Sequence, residues 1–364
     1  MTDLLDLTAE LVDIPSVSKD EEAITSWIEA RLREQAPWLE VTRLGNNLVA
    51  RTNLDRGLRV MVAGHTDTVP VNDNADARID GDTLFGLGSC DMKGGLAVAL
   101  DLATSIEEPA LDVTFLFYEC EEIALEFNGL RKLLRERPDL LACDAAILGE
   151  PTGGLVEAGC QGTLRASLTA AGERAHTARP WMGRNAIHRL GPVIAALAAY
   201  EERRPVLNDC EFREALQAVG VKGGVAGNVV PDAVDLLINH RFAPDRTTDE
   251  AIEHVRDLVC GALDGGFDES AGDRFEVLDA AAPAPPDLDH PVLAALVTAS
   301  GQPPRAKLGW TDVSFFAAAG IPATNFGPGD PTLAHTKDER VERADLERVR
   351  AALSKLLVGG IAAG

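Results

Sequence analysis

Four segments of the sequence place acidic or histidine side chains where an apolar run ends or a glycine-rich stretch lies. They carry His65 with Asp67, then Asp91, then Glu121 with Glu122, and finally Glu150. Imidazole and carboxylate groups together suit zinc. Carboxylates that converge in one cleft repel each other strongly unless cations neutralise them or some take up protons. We therefore expect a site for two divalent ions; the alternative is a set of separate surface acids in a chain with 58 acidic residues.

The elements around these residues predict how they are positioned. Short continuous apolar runs suit strands buried on both faces of a sheet, and they lie at 58–63, 113–118, 145–149 and 321–326. Helical patterns lie at 4–11, 21–35, 94–105, 129–136, 291–300 and 344–357. Ligands of α/β sheets bind beyond the carboxyl ends of the strands, which is where His65, Glu121 and Glu150 fall. His65 and Asp67 are two residues apart, so in extended backbone they point to the same side.

The segment that contains Asp91 is rich in glycine and precedes a predicted helix. Glycines in residues 85–95 let the backbone approach a site closely. A phosphate site is the alternative, but the stretch lacks the spacing of a P-loop or of a dinucleotide-binding loop. An acidic residue in the middle of the stretch favours a cation instead.

The middle of the chain predicts a second, smaller domain. Strands are expected at 164–170, 223–229, 233–242 and 274–278, and helices at 185–199 and 248–263. The order βαββαβ describes a small sheet with two helices on one face. A chain of 364 residues also exceeds the roughly 250–300 at which single cores stop growing. We predict an α/β domain, with helices on both faces of a mixed sheet, formed by 1–160 and 282–364 and interrupted by an α+β domain at 161–281.

Composition argues against several classes of function. The formal charge is −24, from 34 basic and 58 acidic residues, and such a field repels nucleic acid and anionic membranes. No apolar run reaches the roughly 18 residues that cross a bilayer. The first residues lack the pattern of a signal peptide, so we expect a cytoplasmic protein. The six cysteines are expected to be reduced thiols; Cys90 and Cys120 are alternative zinc ligands because they adjoin the acidic candidates.

Taken together, the motifs resemble those of the dinuclear zinc amidohydrolases, a family that includes aminoacylase, acetylornithine deacetylase and glutamate-releasing carboxypeptidase. The matching stretches are Gly64-His65-Thr66-Asp67-Thr68-Val69-Pro70, Gly86-x-Gly88-x-x-Asp91-Met92-Lys93-Gly94, Glu121-Glu122, Gly149-Glu150-Pro151-Thr152 and a late His335. They span nearly the whole chain in the family's order. The resemblance implies a hydrolase with two zinc ions per subunit, with cobalt able to replace zinc, and a small dimerising domain inserted in the catalytic domain.

Position by position, the resemblance implies a role for each residue. The implied metal ligands are His65, Asp91, Glu122, Glu150 and His335. Asp91 would bridge both metals, His65 and Glu150 would complete one site, and the other two would complete the second. Asp67 would orient and polarise the His65 imidazole. The family also suggests a cis peptide bond between Asp91 and Met92.

Amide hydrolysis is a reaction for which this set of implied metal ligands is chemically suited. The attacking water must be activated, and bound zinc can lower the pKa of water to about 7. Glu121, which the resemblance implies is the general base, would take the proton and later deliver it to the leaving amine. The oxyanion that forms needs positive charge; one zinc supplies some, and His176 is the other candidate. In the family the equivalent histidine reaches the active site of the partner subunit, which implies a homodimer.

Three further segments look most like the actinobacterial succinyl-diaminopimelate desuccinylases, one branch of this family. They lie at 157–163, 309–314 and 325–330. This likeness implies hydrolysis of N-succinyl-LL-2,6-diaminopimelate to succinate and LL-2,6-diaminopimelate, a step of lysine and diaminopimelate biosynthesis. The alternatives are a deacylase of another N-acyl amino acid, such as N-acetylornithine, and a catalytically silent metal-binding relative.

A substrate with three carboxylates and one ammonium group must be bound against the protein's own negative charge. Arg179, Arg241 and also Arg165 are candidates, because a guanidinium group binds a carboxylate with two parallel hydrogen bonds. Asn228 resembles the asparagine of the family's inserted domain that contacts substrate. Gly327 begins a Gly-Pro-Gly loop whose backbone N–H groups would face a carboxylate.

Overall fold

The computed structural model describes residues 3–361, and the chain divides into two compact units. The first unit consists of Met1–Gly159, Pro286–Arg305 and Asp312–Gly364, and the second of Cys160–Pro285 and Ala306–Thr311. The chain passes into the second unit after Gly159 and leaves it after Pro285, close to the domain boundaries expected from sequence. The short segment 306–311, which sequence analysis assigned to the catalytic domain, belongs to the second unit.

The described residues form the following regular elements. Helices α1 to α11 are Leu4–Val12, Glu22–Gln35, Gly94–Ser105, Gly129–Glu136, Pro138–Leu141, Ala186–Arg189, Gly191–Ala198, Thr248–Gly261, Pro291–Ser300, Val313–Ala318 and Arg343–Gly359. Strands β1 to β17 are Glu40–Leu44, Asn47–Arg51, Arg59–His65, Arg78–Asp80, Thr83–Phe85, Asp112–Tyr118, Ala145–Pro151, Glu157–Ala158, Gly162–Ala171, Val206–Leu207, Cys210–Glu211, Ala215–Gly223, Ala233–Phe242, Arg274–Ala281, Arg305–Ala306, Ala323–Gly327 and Arg340–Glu342. None of these helices has the length and hydrophobicity needed to span a bilayer.

The first unit is built around an eight-stranded mixed sheet in the order β1-β2-β6-β3-β7-β16-β8-β15. The central strands β6, β3, β7 and β16 run parallel to one another, and β2 and β8 pair with them antiparallel. Every residue of β6 and β7 is buried, as expected for parallel strands covered on both faces. The carboxyl ends of the four central strands therefore meet at one edge.

Helix α3 fixes the start of one functional loop against this sheet. All of its residues from Gly94 to Ala103 are buried, and it packs against β3, β6 and β7. A Cβ atom on Gly95 would lie only 2.2 Å from the carbonyl oxygen of Gly149. Only glycine allows the helix to approach β7 this closely, and this contact places the turn before α3 beside the end of β7.

The second unit contains a four-stranded antiparallel sheet in the order β12-β13-β9-β14. Buried side chains of α6, α7 and α8 share its hydrophobic core. Helix α8 begins with a capping box in which Thr247 and Glu250 exchange side-chain and backbone hydrogen bonds, an arrangement that satisfies N–H groups at the helix start. The sheet order and helices agree with the βαββαβ pattern.

Two elements of the second unit differ from the sequence-based prediction. The strand expected at 223–229 is wrong: the strand is β12, and 224–229 form a loop in which Gly224 has a φ of +84°. The helix expected at 185–199 is two helices, α6 and α7, separated at Leu190. Pro192 explains the break, since proline has no N–H to donate to the preceding turn.

Candidate metal centre

Three neighbouring parallel strands deliver most of the candidate ligands to one edge of the first sheet. His65 is the last residue of β3 and pairs in register with Tyr118, the last residue of β6. Glu121 and Glu122 follow β6 after two residues, and Glu150 is the next-to-last residue of β7. Parallel pairing alone therefore brings these side chains to the same edge, as expected for a ligand site of an α/β sheet.

The other two candidates come from loops. Asp91 lies in the helical turn Ser89–Lys93, where its own backbone is not helical, with a φ of −120° and a ψ of 95°. The peptide bond between Asp91 and Met92 is cis, as the family resemblance suggested. His335 lies between β16 and β17 with a φ of +62°, and its side chain is about half exposed.

Side-chain distances show how these residues converge. Nε2 of His65 lies 3.2 Å from Oδ1 of Asp91. Nε2 of His335 lies 3.4 Å from Oδ2 of Asp91 and 2.9 Å from Oε1 of Glu122. Ligand atoms lie within 4.8 Å of one another in three groups: His65 with Asp91 and Glu150, His65 with Glu121 and Glu122, and Asp91 with Glu122 and His335. Asp91 thus turns one oxygen towards each histidine, the geometry required of a ligand that bridges two ions.

The electrostatics of the cluster indicate that cations fit there. Burial disfavours a charged His65 imidazole, yet hydrogen bonds with Asp67 and Asp91 hold its pKa well above the ordinary value. Hydrogen bonds with Asp91 and then Glu122 raise the pKa of His335 to about 10. Burial acts to raise the pKa of Asp91, but the two histidines outweigh it, and the pKa falls below its usual range. In the protein alone, protons on the histidines balance part of the charge of the carboxylates, and a metal ion would replace those protons.

Glu121 lies among several other carboxylates. Burial, and then the nearby Asp312 carboxylate, raise its pKa well above the ordinary value, and Glu150 and Glu122 add to the effect. Buried carboxylates this close are stable together only with protons or cations among them. The donor set of imidazole and carboxylate groups suits zinc, so the residues present fit the predicted metals.

Asp67 supports this cluster through the backbone. It is fully buried, and its Oδ1 accepts a hydrogen bond from the N–H of Glu121 at 2.9 Å. Its Oδ2 accepts from the N–H of Glu122 at 3.0 Å and from the Ser18 hydroxyl at 2.7 Å. The Asp67 carboxylate lies 3.5 Å from Nδ1 of His65, whereas the main-chain carbonyl of Asp67 lies 3.0 Å away. Orientation of the imidazole therefore involves the carbonyl as well as the carboxylate.

Sequence analysis missed two side chains that hold the same segment. The N–H of Glu119 donates to Oδ1 of Asn47 at 3.2 Å, and the N–H of Cys120 donates to Oε1 of Glu21 at 3.2 Å. Both acceptors are buried. The residues around Glu21 predict only the start of a helix, and those around Asn47 only a turn. No local pattern therefore pointed to a role of either residue at this site.

Asp312 is a third residue that sequence analysis left without a role. It precedes helix α10 like an ordinary capping residue, but makes no side-chain bond to that helix. Instead its Oδ2 accepts from the Asn128 amide at 2.8 Å, in a buried contact. Burial raises its pKa to about 6, although the Asn128 bond opposes this. Its charge contributes to the raised pKa of Glu121.

The two cysteines considered as alternative ligands point elsewhere. The Cys90 thiol donates to the carbonyl of Asp330 at 3.1 Å. The Cys120 thiol donates to Oε1 of Glu21 at 3.3 Å, and burial, then this bond, raise its pKa to about 12. Within residues 3–361, the groups with metal-ligand spacing contain His, Asp and Glu and neither thiol.

The second unit carries His176, Arg179 and Asn228 on adjoining backbone segments. The N–H of Thr177 donates to the carbonyl of Asn228 at 3.1 Å, and the N–H of Arg179 donates to the carbonyl of His176 at 2.8 Å. His176 is exposed, and its Nδ1 accepts from the N–H of Ala178 at 3.0 Å. A neutral imidazole bonded in this way carries its proton on Nε2, which leaves that atom as a donor.

Arg241 lies on β13, close to Arg165 of β9. Burial and the nearby Arg165 lower the pKa of Arg241. Arg165 pairs with Asp279 at 3.0 Å, whereas Arg241 makes no ion pair within the described part of the chain. The two guanidinium groups outnumber the single acid Asp279 that pairs with Arg165, so they can attract an anion.

Gly327 ends β16 and is engaged within the first unit. Its N–H donates to the hydroxyl of Thr152 at 3.2 Å, so this N–H is already used. A Cβ atom at this position would lie 2.1 Å from the carbonyl oxygen of Gly149. Close packing beside β7 therefore explains the glycine, and contact with substrate stays a prediction.

Known proteins resemble this chain over nearly its full length. A DapE protein of Mycobacterium tuberculosis is 52% identical over 357 residues, which cover 98% of each chain. The succinyl-diaminopimelate desuccinylase of Corynebacterium glutamicum is 48% identical over 357 residues, covering 96% of this chain and 95% of that protein. These relatives confirm the actinobacterial resemblance seen in the motifs.

Solved structures share the fold at low sequence identity. A tripeptidase from Staphylococcus aureus superposes with a TM-score of 0.77 at 21% identity, covering 98% of this chain and 97% of that one. A dinuclear metal-binding peptidase of family M20 from Bacillus subtilis gives a TM-score of 0.70 at 19% identity, covering 97% and 96%. The sequence model described as Peptidase family M20/M25/M40 matches residues 61–358. The chain therefore belongs to the Peptidase family M20/M25/M40 and is a metal-dependent hydrolase.

Proposed function

We propose that this hydrolase is a dinuclear zinc amidohydrolase that converts N-succinyl-LL-2,6-diaminopimelate to succinate and LL-2,6-diaminopimelate. The observation that carries the chemistry is Asp91, whose two oxygens face the two histidines. The substrate follows from relatives of 52% and 48% identity that carry the DapE or desuccinylase name. A place in lysine and diaminopimelate biosynthesis and a cytoplasmic location are parts of this proposal.

The residues proposed to hold the ions form two overlapping sets. His65, Asp91 and Glu150 would hold one ion, and Asp91, Glu122 and His335 the other. Bound there, zinc polarises a carbonyl oxygen and lowers the pKa of water to about 7. Cobalt accepts the same imidazole and carboxylate ligands, so we expect it to replace zinc.

Glu121 is the proposed general base. Its carboxylate lies within 4.8 Å of ligand atoms of His65 and Glu122, and its backbone is held by Asp67. From this position it takes a proton from the attacking water and returns it to the nitrogen of the leaving amine. The water oxygen forms a bond to the succinyl carbonyl carbon and the amide C–N bond breaks, so succinate leaves as the acid and diaminopimelate leaves as the amine.

A homodimer through the second unit is the proposed assembly. Strand β12 is an edge strand of its sheet, and it exposes Val219 and Val221. An exposed edge strand presents unpaired backbone N–H and C=O groups, which are a template for pairing with another chain. The exposed His176, with Nε2 as a donor, would then bind the oxyanion in the partner's active site.

The substrate's carboxylates require cationic partners. We propose that Arg241, with Arg179 and Asn228, binds a carboxylate of the diaminopimelate part or of the succinyl group. The absence of an ion-pair partner for Arg241 among residues 3–361 supports this choice, because a half-buried guanidinium without an acid is available to a ligand.

The substrate proposal is tested by competing assays. Zinc-loaded protein is assayed with N-succinyl-LL-2,6-diaminopimelate and with N-acetylornithine, each across a range of concentrations, with chelator-treated protein as the control. We expect a higher kcat/KM for the succinyl substrate and activity that depends on metal. An equal or reversed preference would contradict the substrate assignment.

Shared sites are tested by mixing two inactive variants. In a mixed dimer of His176→Ala and Glu121→Gln, one active site carries both defects and the other carries neither. We therefore expect partial recovery of activity after the two proteins are unfolded and refolded together. Each variant refolded alone is the control. A mixture that stays as inactive as its components would argue that each site is completed within one chain.

A further inference from the structure

We propose that Glu339 is a positioning residue that fixes Asp91 and links it to the loop carrying His335. The inference rests on the metal site of the proposed function. Glu339 is only 1% exposed and belongs to none of the groups with metal-ligand spacing among residues 3–361. Burial of a carboxylate costs free energy of folding unless hydrogen bonds or opposite charges compensate it.

The hydrogen bonds of Glu339 account for its burial. Its Oε1 accepts from the N–H of Cys90 at 3.1 Å and from the N–H of Asp91 at 3.0 Å. The backbone of Asp91 is extended within a helical turn, so the regular helical pattern does not provide these bonds. A carboxylate is the stronger kind of acceptor for two N–H groups.

The same residue also joins two loops through its main chain. Its carbonyl accepts from the N–H of Gly86 at 3.2 Å, and its own N–H donates to the carbonyl of Thr336 at 3.3 Å. Glu339 follows His335 by four residues. One buried residue therefore contacts the backbone of the segment that carries Asp91 and of the loop that carries His335. A shift of Asp91 would move both oxygens that face His65 and His335.

Asp67 provides a parallel within the same cluster. Its two oxygens accept from the N–H groups of Glu121 and Glu122, just as Glu339 accepts from those of Cys90 and Asp91. Two segments that present candidate ligands are thus held by buried carboxylates acting on backbone N–H groups. This repetition indicates that Glu339 serves the ligands and not merely the packing of its loop.

Asp112, the first residue of β6, offers a matched control. It lies at the end of this strand that is remote from Glu121 and Glu122. It is 4% exposed and accepts from the N–H groups of Leu54 and Arg56, each at 2.9 Å. It therefore resembles Glu339 in burial and in accepting from two backbone N–H groups, although it also lies 3.7 Å from the Arg59 guanidinium. The N–H groups that it holds belong to a loop without a candidate ligand. Its loss should weaken the fold and leave the metals unaffected.

The test compares Glu339→Ala, Glu339→Gln and Asp112→Ala as metal-free proteins. Zinc affinity is measured by calorimetric titration, and cobalt binding by the visible absorption spectrum. Loss of a side chain that orients a ligand typically weakens metal binding by roughly 10- to 100-fold, and we expect this for Glu339→Ala, with an altered cobalt spectrum. Glu339→Gln keeps an acceptor oxygen and should retain most of the affinity. Asp112→Ala should lower the denaturant midpoint and keep the wild-type zinc affinity.

Three outcomes would overturn the inference. Wild-type zinc affinity and an unchanged cobalt spectrum in Glu339→Ala would remove the positioning role. Equal losses in Glu339→Gln and Glu339→Ala, or an equal loss in Asp112→Ala, would assign the effect to the fold. Wild-type protein that takes up no metal would instead refute the proposed function, so the two failures are distinct.

Discussion

Each unit contains a buried cluster of charged side chains, and the two clusters are built in opposite ways. In the second unit, Arg189 and Asp273 are almost fully buried and form two hydrogen bonds of 2.6 and 2.9 Å. The remaining donors of Arg189 reach the carbonyls of Ala171, Asp264 and Gly266. Asp273 also accepts from two backbone N–H groups. This cluster compensates its charges within the chain.

The cluster of the first unit is instead dominated by carboxylates. Its carboxylates are Asp67, Asp91, Glu121, Glu122 and Glu150, with Asp312 nearby, and the histidines in its groups with metal-ligand spacing, among the residues the structure describes, are His65 and His335. Proton uptake by the histidines balances part of the charge. A complete buried ion pair is neutral without any ion from solution. Several carboxylates that lie close together, in contrast, are stable only with protons or metal ions among them. This difference is the one expected between a structural cluster and the proposed metal-binding one.

The largest expected effect tests the compensated cluster. Arg189→Met leaves Asp273 buried without its partner, and breaking a buried pair typically costs about 3–5 kcal/mol of the free energy of unfolding. Urea unfolding of the metal-free protein measures the loss, and zinc affinity should stay unchanged. Arg256→Met is the control, since its exposed pair with Glu269 is worth at most about 1 kcal/mol. Equal stabilities of the two variants would contradict the structural role of Arg189.

The next effect concerns catalysis in the carboxylate-rich cluster of the first unit. Glu121→Gln should lower kcat at least ~100-fold, because the amide cannot take the proton from water, and metal uptake should persist. Rate assays and metal analysis of the same sample measure both properties. Glu126→Gln, an exposed position in the same loop, is the control and should retain activity. Unchanged turnover in Glu121→Gln would remove Glu121 from its role.

Metal loading should distinguish the clusters directly. Zinc at about 100 times its dissociation constant should stabilise the native protein by about 2.7 kcal/mol, because the unfolded chain does not bind it as well. Calorimetric or denaturant unfolding with and without zinc measures the gain. The gain should persist in Arg189→Met and shrink in Glu122→Ala, which lacks one ligand. A gain that disappears in Arg189→Met would place the metal elsewhere.

The smallest expected effect concerns Asp67. Asp67→Asn replaces one acceptor oxygen by an NH2 group, which would face the N–H of Glu121 or of Glu122. We expect zinc affinity to fall by roughly 10-fold, towards the lower end of the usual range for residues behind metal ligands. Calorimetric titration measures it, and the exposed Asp76→Asn serves as control. An affinity equal to wild type would show that the carbonyl of Asp67 orients His65 sufficiently by itself.

The sequence by itself determined the main architecture and where along the chain the ligand candidates lie. Buried strands are recognisable because they are continuous apolar runs, and β3, β6 and β7 each lie at or near their predicted bounds. The prediction failed at 223–229 because β12 begins earlier and is mostly exposed, so it lacks the alternation of apolar and polar residues that marks a half-buried strand. Local patterns of this kind depend only on neighbours in sequence, so they are available without the fold.

Only the tertiary structure decided which groups stand behind those ligands. Glu21, Asn47, Asp312 and Glu339 have no local pattern that sets them apart from the other polar residues of the chain. Their roles depend on backbone N–H groups and carboxylates far away in sequence, such as Glu339 with Asp91. A hydrogen bond of this kind exists only after the chain has packed, because burial removes the water that would otherwise satisfy both partners. The motifs of the sequence are therefore sufficient to propose the ligands, and three-dimensional packing is required to find the residues that support them.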